Sequence, residues 1–276
     1  MPSHPSHNEL AAAAGSLLDR LRETRPLVQA VTNYVSMDVA ANVLLAVGAS
    51  PAMVHAPEEV EEFVSFSGAL VVNIGTLSAP WVEGMEKAAA ADRLGKPWTL
   101  DPVGVGATRF RNETTEKLLK HRPAIIRGNA SEILAVARIA GVDVEAASPK
   151  GVDSAHETAA ARGAAEALAR TLSCTVAATG AVDLVTDGAR TRLLANGSPV
   201  MAQVTALGCA LSGVVAGFSA LGEDRFETTA AAVAVYGVAG EMAQEVSKRP
   251  GSFRVAFLDA LDAVNGEDIA RRLKVA

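Results

Sequence analysis

Cysteine, histidine and aromatic residues are scarce in this chain, with 2 Cys, 5 His and only 4% Phe, Trp and Tyr among 276 residues. Cys174 and Cys209 are too few for a disulfide framework and form no CxxC or other metal-type spacing, which fits a cytoplasmic protein in a reducing cytosol. The histidines supply no catalytic set: His4 and His7 stand three apart near the start, and His55, His121 and His156 are scattered. Basic residues are not in excess either. With 25 Lys+Arg against 31 Asp+Glu and a net charge of −6, the chain shows no electrostatic footprint for nucleic acid or an anionic membrane, and a small partner is expected.

Two familiar nucleotide motifs are also missing. Gly104-Val105-Gly106 lacks the third glycine and following helix of a dinucleotide fingerprint, and no GxxxxGK[ST] loop occurs. The stretch Met1 to His7 has neither the positive start nor the apolar run of a signal peptide; residues 1–8 read as a flexible tail and 9–276 as a single domain. Met201 to Gly222 is uncharged and long enough to cross a bilayer, but Gln203, Thr205, Gly208, Ser212, Gly213, Gly217 and Ser219 interrupt it. It reads as a loop followed by a buried central helix.

What the chain does have is 49% hydrophobic residues arranged as short apolar runs alternating with longer amphipathic stretches. The runs Leu27–Val31, Ala52–Val54, Ala69–Ile74, Trp98–Leu100, Ala124–Ile126 and Thr175–Ala178 predict strands, each bounded by turn-forming residues. Between them, Ser36 is expected to cap a helix that stops at Gly48, Pro57 to open one with Glu58-Glu59 in its first turn, and Pro80 to start one that Gly95 ends. Continuous apolar strands alternating with helices predict a mostly parallel sheet covered on both faces. Asp187-Gly188 between Val182–Thr186 and Arg190–Leu194 predicts an antiparallel hairpin at the sheet edge.

Ligands of open α/β sheets bind outside the carboxyl ends of the strands, which directs attention to a few segments. Asp101, ending a strand and followed by Pro102 and a glycine-rich stretch, is either a Mg²⁺-holding carboxylate or part of an Asp-Pro turn. Arg127 and Asn129 follow a strand, and Glu132 lies one helical turn on; the set can bring a cation and a carboxylate to a phosphate, or Asn129 or Ser131 simply caps the helix and Glu132 complements its dipole. Thr179-Gly180 can offer a hydroxyl to a phosphate or form only a turn. The loop Thr205-Ala206-Leu207-Gly208 leads into a long neutral helix whose free backbone N–H groups make an anion hole. Cys209 stands at that helix start, where the dipole is expected to lower its pKa; the alternative is packing.

Taken in order, Val31-Thr32-Asn33, Leu45 to Met53, Asn73-Ile74-Gly75-Thr76-Leu77, Asp101 to Thr108, Arg127 to Glu132, Val204 to Ser212 and Pro250-Gly251-Ser252-Phe253 resemble the hydroxyethylthiazole kinases of the ribokinase-like superfamily. The resemblance runs from about Leu17 to Leu261. It implies a three-layer α/β/α fold, a homotrimer with sites between subunits, and transfer of the ATP γ-phosphate to the primary alcohol of 4-methyl-5-(2-hydroxyethyl)thiazole in thiamin salvage. By position it assigns Met53, Asn33, Ala206 and Gly208 to the thiazole substrate, Arg127, Thr179 and Asn129 to ATP, Asp101 and Glu132 to Mg²⁺, and Cys209 to the place of the superfamily's aspartate base. The chain departs from the family's Thr-Gly-x-Gly-Cys loop at Ala206, where a positive φ would strain alanine. Other readings are a kinase for another vitamin precursor such as hydroxymethylpyrimidine, a cysteine-dependent hydrolase lacking a local histidine, and a nucleotide-binding protein without turnover.

Overall fold

In a computed structural model of the chain, residues 7–90, 95–144 and 154–276 are described; residues 1–6 of the expected tail, His4 among them, lie outside this set. Eight strands form one sheet in the order β2-β1-β3-β4-β5-β6-β7-β8. They are β1 (Leu27–Val31), β2 (Ser50–Ala52), β3 (Ala69–Asn73), β4 (Trp98–Asp101), β5 (Ile125–Asn129), β6 (Thr175–Thr179), β7 (Asp183–Thr186) and β8 (Thr191–Leu194). β1 to β6 pair in parallel, and β7 and β8 add the expected antiparallel edge.

The apolar strands are continuous because both faces are covered, and their residues alternate between two cores as the pleat requires. Val28, Ala30, Ala69, Val71, Ile125 and Ala177 enter one core. Val31, Leu70, Val72, Ile126, Val176 and Ala178 enter the other. The first core lies under α1 (His7–Thr24), α2 (Met37–Val47), α8 (Leu207–Ser219), α9 (Arg225–Val246), α10 (Pro250–Ala263) and α11 (Gly266–Arg272). The second lies under α3 (Val60–Phe66), α4 (Ala79–Ala90), α5 (Arg109–Leu119), α6 (Ala130–Ile139) and α7 (Ser154–Leu172). This is the three-layer α/β/α arrangement.

The uncharged Met201 to Gly222 stretch resolves into a short 3₁₀ turn, Pro199–Gln203, and the central helix α8, whose residues from Ala210 to Ser219 are all buried. Packed between the sheet, α2 and α9, it meets protein on all sides, which accounts for its composition. No helix among the described residues is long and apolar enough to cross a membrane.

Several boundaries differ from the sequence expectation for identifiable reasons. The second strand is Ser50–Ala52 and not Ala52–Val54, because Gly48 closes α2 in a left-handed turn and Ser50 N–H already bonds to Pro26 C=O. Pro57 does not open a helix: Pro57 to Glu59 form a turn closed on Ala56 C=O, and α3 begins at Val60. Ser36 holds the N-cap position of α2, but its hydroxyl meets Thr32 Oγ1 at 2.7 Å instead of capping. The fifth strand extends past Ile126 to Asn129, since its ladder to β6 continues through Arg127, Gly128 and Asn129.

Candidate functional site

The parallel register delivers the ends of β1, β3, β4, β5 and β6 to one edge of the sheet, and the first turn of α8 lies against the same edge. Asp101 ends β4 opposite Asn73, which ends β3. The Asp101 carboxylate is fully buried. Its Oδ2 accepts from Asn73 Nδ2 at 2.6 Å and from Ser212 Oγ at 2.8 Å, and Arg127 Nη1 stands 4.0 Å away. Its Oδ1 is buried without a hydrogen-bond partner. Burial pushes the Asp101 carboxyl up to about 6, against the opposing pull of Arg127, Ser212 and Asn73. An unpartnered carboxylate oxygen in such a place is costly unless a ligand satisfies it.

Asn33, just past β1, uses Oδ1 to accept the N–H groups of Val35 and Ser36, closing the turn into α2. Its Nδ2 then donates to Asn73 Oδ1 at 2.7 Å and reaches Cys209 Sγ at 3.5 Å. Cys209 is free and half-buried. The expected lowering of its pKa does not occur: burial, then the charge of Asp101, push the thiol up despite its place at the start of α8. It is a thiol at neutral pH, and here desolvation and a neighbouring acid outweigh the helix dipole.

Arg127 reaches from inside β5, donating Nη2 to Thr179 Oγ1 at 2.6 Å at the end of β6. Gly208 lies against this guanidinium, and a Cβ there would come within 3.1 Å of Nη1. Ala206, the N-cap of α8, has φ +66° and ψ 0°, the left-handed conformation anticipated for the family's glycine. Tyr236 Oη of α9 donates to Leu207 C=O at 2.7 Å and pins the loop. Beside these residues opens a cleft of about 510 Å³ lined by Arg127, Thr179, Gly208, Tyr236 and Asp183, among others. That volume suits a small organic ligand. Asp183 accepts Gly180 N–H at 2.9 Å, and burial pushes its carboxyl up to about 6.

The capping reading of Asn129 and Glu132 holds. Asn129 Oδ1 accepts Glu132 N–H while Glu132 Oε2 accepts Asn129 N–H, a reciprocal capping box. Glu132 Oε1 also takes Gly104 N–H at 2.8 Å, so this carboxylate shapes the loop that follows Asp101. Arg111 braces that loop from the other side, with bonds to the carbonyls of Ile74, Gly75 and Val103. Met53 emerges from the end of β2 and is partly buried against the first core. No cluster of three or more His, Cys, Asp or Glu suited to a metal exists among the described residues. Sequence reasoning gave no role to Asn73, Ser212, Arg111, Asp183 or Tyr236. Asn73 had a signal in the sequence, as an amide closing an apolar strand, and Ser212 another, three residues after Cys209 on the same helix face.

Two measurements follow from this geometry. Ala206→Gly releases a left-handed alanine costing about 1–2 kcal/mol, less roughly 0.5–1 kcal/mol for glycine's greater unfolded entropy. The urea midpoint is expected to rise slightly; a fall would show that Ala206 is not strained. For Asp101, a folded pKa of about 6 against 3.8 unfolded means stability is full below pH 4 and lost as pH rises through 6. Asp101→Asn should therefore stabilise the protein at pH 8 by about 3 kcal/mol, with the gain shrinking toward pH 4. Equal effects at both pH values would contradict the burial account.

Comparisons with known proteins agree with this architecture. The model of the hydroxyethylthiazole kinase family matches residues 18–267. A hydroxyethylthiazole kinase of Cereibacter sphaeroides is 54% identical over 265 residues, covering 95% of this chain and 98% of the relative. One from Rhizobium leguminosarum is 50% identical over 264 residues, with 95% and 97% covered. The solved hydroxyethylthiazole kinase protein of Pyrococcus horikoshii superposes with a TM-score of 0.86 at 39% identity, covering 95% and 98% of the two chains. Pyridoxal kinase of Staphylococcus aureus, with AMP-PCP and pyridoxal, shares the fold alone at 12% identity and TM-score 0.55, covering 78% of this chain and 87% of its own. With a matched model spanning nearly its full length and relatives at half identity, the chain belongs to the hydroxyethylthiazole kinase family.

Proposed function

We propose that this protein phosphorylates the primary alcohol of 4-methyl-5-(2-hydroxyethyl)thiazole with ATP and Mg²⁺, a step of thiamin salvage. The observation that carries the reading is one edge where an unpartnered buried carboxylate oxygen of Asp101, the Arg127 guanidinium and the first turn of α8 converge. Phosphoryl transfer has a loose transition state, so catalysis is mostly positioning and charge neutralisation. The free N–H groups of the first turn of α8 receive developing negative charge on the transferred group, with no side chain at Gly208 to block approach. Arg127 and Thr179, joined to each other, bind ATP phosphates from the cleft side, and Asn129 adds its amide.

Asp101, through its unpartnered Oδ1, would hold a Mg²⁺ that arrives with nucleotide, and Glu132, whose oxygens already accept backbone N–H groups, would add its charge from beside it. Such an ion keeps water and phosphate in its shell and needs only one or two protein carboxylates, which suits Asp101 Oδ1 and the absence of a larger cluster among the described residues. When bound, it would supply neutralisation of phosphate charge. Glu132 spends each oxygen on a backbone N–H, so its share of the work includes holding the Asp101 loop in place.

Cys209 lies beside Asn33 at the alcohol end of the site. As a neutral thiol it hydrogen-bonds and positions the hydroxyl but takes up no proton; the alcohol proton leaves to an oxygen of the transferred phosphoryl group or to water, with no covalent intermediate. The same protonation state argues against a cysteine hydrolase, because the groups acting on Cys209 are Asp101, Asn73, Asn33 and Arg127, with no imidazole among them. Met53, Asn33 and the backbone of Ala206 and Gly208 contact the thiazole. A homotrimer belongs to the same proposal: Tyr34 and Val35, next to Asn33, are 66% and 55% exposed, apolar surface that a neighbouring subunit would cover over the thiazole. A cytoplasmic setting, where ATP is supplied and both cysteines stay reduced, completes it.

The deciding experiment is Mg²⁺-dependent ATP consumption with and without the thiazole alcohol, with the product identified by mass and the oligomer sized by light scattering. Thiazole-dependent formation of the phosphate ester is expected; turnover only with hydroxymethylpyrimidine would reassign the substrate, and ATP binding without turnover on either would make the site regulatory. Cys209→Ser should keep the fold and ATP binding while lowering kcat by up to about 100-fold through altered placement of the alcohol. Loss of folding in that variant would restore the packing reading.

A further inference from the structure

Asn73 is buried at the end of β3, a strand whose other residues, Ala69-Leu70-Val71-Val72, are all apolar. A carboxamide in that place costs stability unless its hydrogen bonds are satisfied, and an aliphatic side chain would pack there without that demand. Its bonds run in two directions. Nδ2 donates to Asp101 Oδ2 at 2.6 Å, directly across the ladder. Oδ1 accepts from Asn33 Nδ2 at 2.7 Å and from Gly75 N–H at 2.9 Å. A Cβ at Gly75 would overlap the Asn33 amide, so the backbone there is shaped around the same contact.

We propose that Asn73 is a positioning residue of the reaction, aiming the Asp101 carboxylate with one arm and, through Asn33, the Cys209 thiol with the other. With Ser212 Oγ taking a second place on the same Asp101 oxygen, Oδ2 is filled by two donors and Oδ1 is left as the free face of the carboxylate. On the other arm, Asn73 Oδ1 anchors the Asn33 Nδ2 that the Val35 and Ser36 N–H groups, bonded to Asn33 Oδ1, turn toward it, so that the amide N–H groups and not the oxygen approach Cys209 Sγ at 3.5 Å. One amide thus couples the acid to the thiol. Partners that orient a reacting group without touching substrate typically change activity by about 10- to 100-fold when removed.

The inference rests on the role proposed above for Asp101, and the two can fail separately. Asn73→Asp keeps the shape and the acceptor for Asn33 and Gly75 but sets a second carboxyl against Asp101 Oδ2, so that the two share one proton and Asp101 loses its neutral amide donor. Expected are a kcat lower by about 10- to 100-fold and little change in KM for the thiazole alcohol. Asn73→Ala removes both arms and should lower kcat and also alter the rate of Cys209 alkylation by iodoacetamide severalfold. If Asn73→Asp does not fold, as judged by circular dichroism, Asn73→Ser takes its place with the same fall in kcat expected. Wild-type kcat in a folded variant at this position, or an alkylation rate that Asn73→Ala leaves unmoved, overturns the proposal. Asp101→Asn separates the two layers: if it still turns over, the reading of Asp101 falls and this inference with it, whereas an inactive Asp101→Asn beside a fully active Asn73→Asp sinks the inference alone.

Discussion

A carboxylate held out of water at the end of β4 sets the terms for its surroundings. Asp101 is fully buried, and burial works against its charge. What offsets the cost comes from separate parts of the chain: Asn73 from β3, Ser212 from α8 and Arg127 from β5. Each donor needs its own element in register, so the sheet order β3-β4-β5 and the path of α8 beneath it are requirements of the site as much as of the core. Tolerating a charge that would be easier to protonate is the kind of local conflict that functional sites keep.

The same edge separates two tasks. On one side Arg127 joins Thr179 and opens onto the cleft, with Asp183 and Tyr236 among its walls. On the other, Asn33 meets Cys209, and the exposed Tyr34 and Val35 follow Asn33 along the chain. α8 stands between them, and its first turn is shared. That turn begins from a left-handed alanine, and the backbone there is held by the Tyr236 hydroxyl. Strain at such a point persists only where surrounding packing determines it, and α8 is buried along nearly its whole length.

Much of the fold was legible because its signals are local. Short apolar runs bounded by turn residues located the strands, Asp187-Gly188 located the hairpin, and the neutral Met201 to Gly222 stretch located the central helix. Pro57 carries a strong helix-start propensity, but a turn closed on Ala56 C=O holds it and α3 begins only at Val60; Ser36 does begin α2, with its hydroxyl on Thr32 Oγ1 and not on the helix backbone. Arg127 and Asn129 lie beyond the apolar run Ala124–Ile126, but pairing with β6 carries the ladder through them. Asp101, Arg127, Glu132, Thr179 and Cys209 stood out because charged, hydroxyl or thiol groups at strand ends and helix starts carry a mechanism. Asn73 and Ser212 did not, since an amide or hydroxyl has no chemistry of its own until its partner is known.

The amino-acid sequence by itself determined the alternation of strands and helices, the residues available for chemistry at the strand ends, and the family, because periodicity, turn residues and ordered motifs are properties of neighbouring positions. Only the tertiary structure decided that Cys209 is a thiol and not a thiolate, that Glu132 spends its oxygens on backbone N–H groups, and that Asn73 joins Asp101 to Asn33. Those outcomes depend on burial and on distances of a few ångströms between residues as far apart as Asn33 and Cys209, and no local pattern encodes the dielectric or the partner that folding brings alongside.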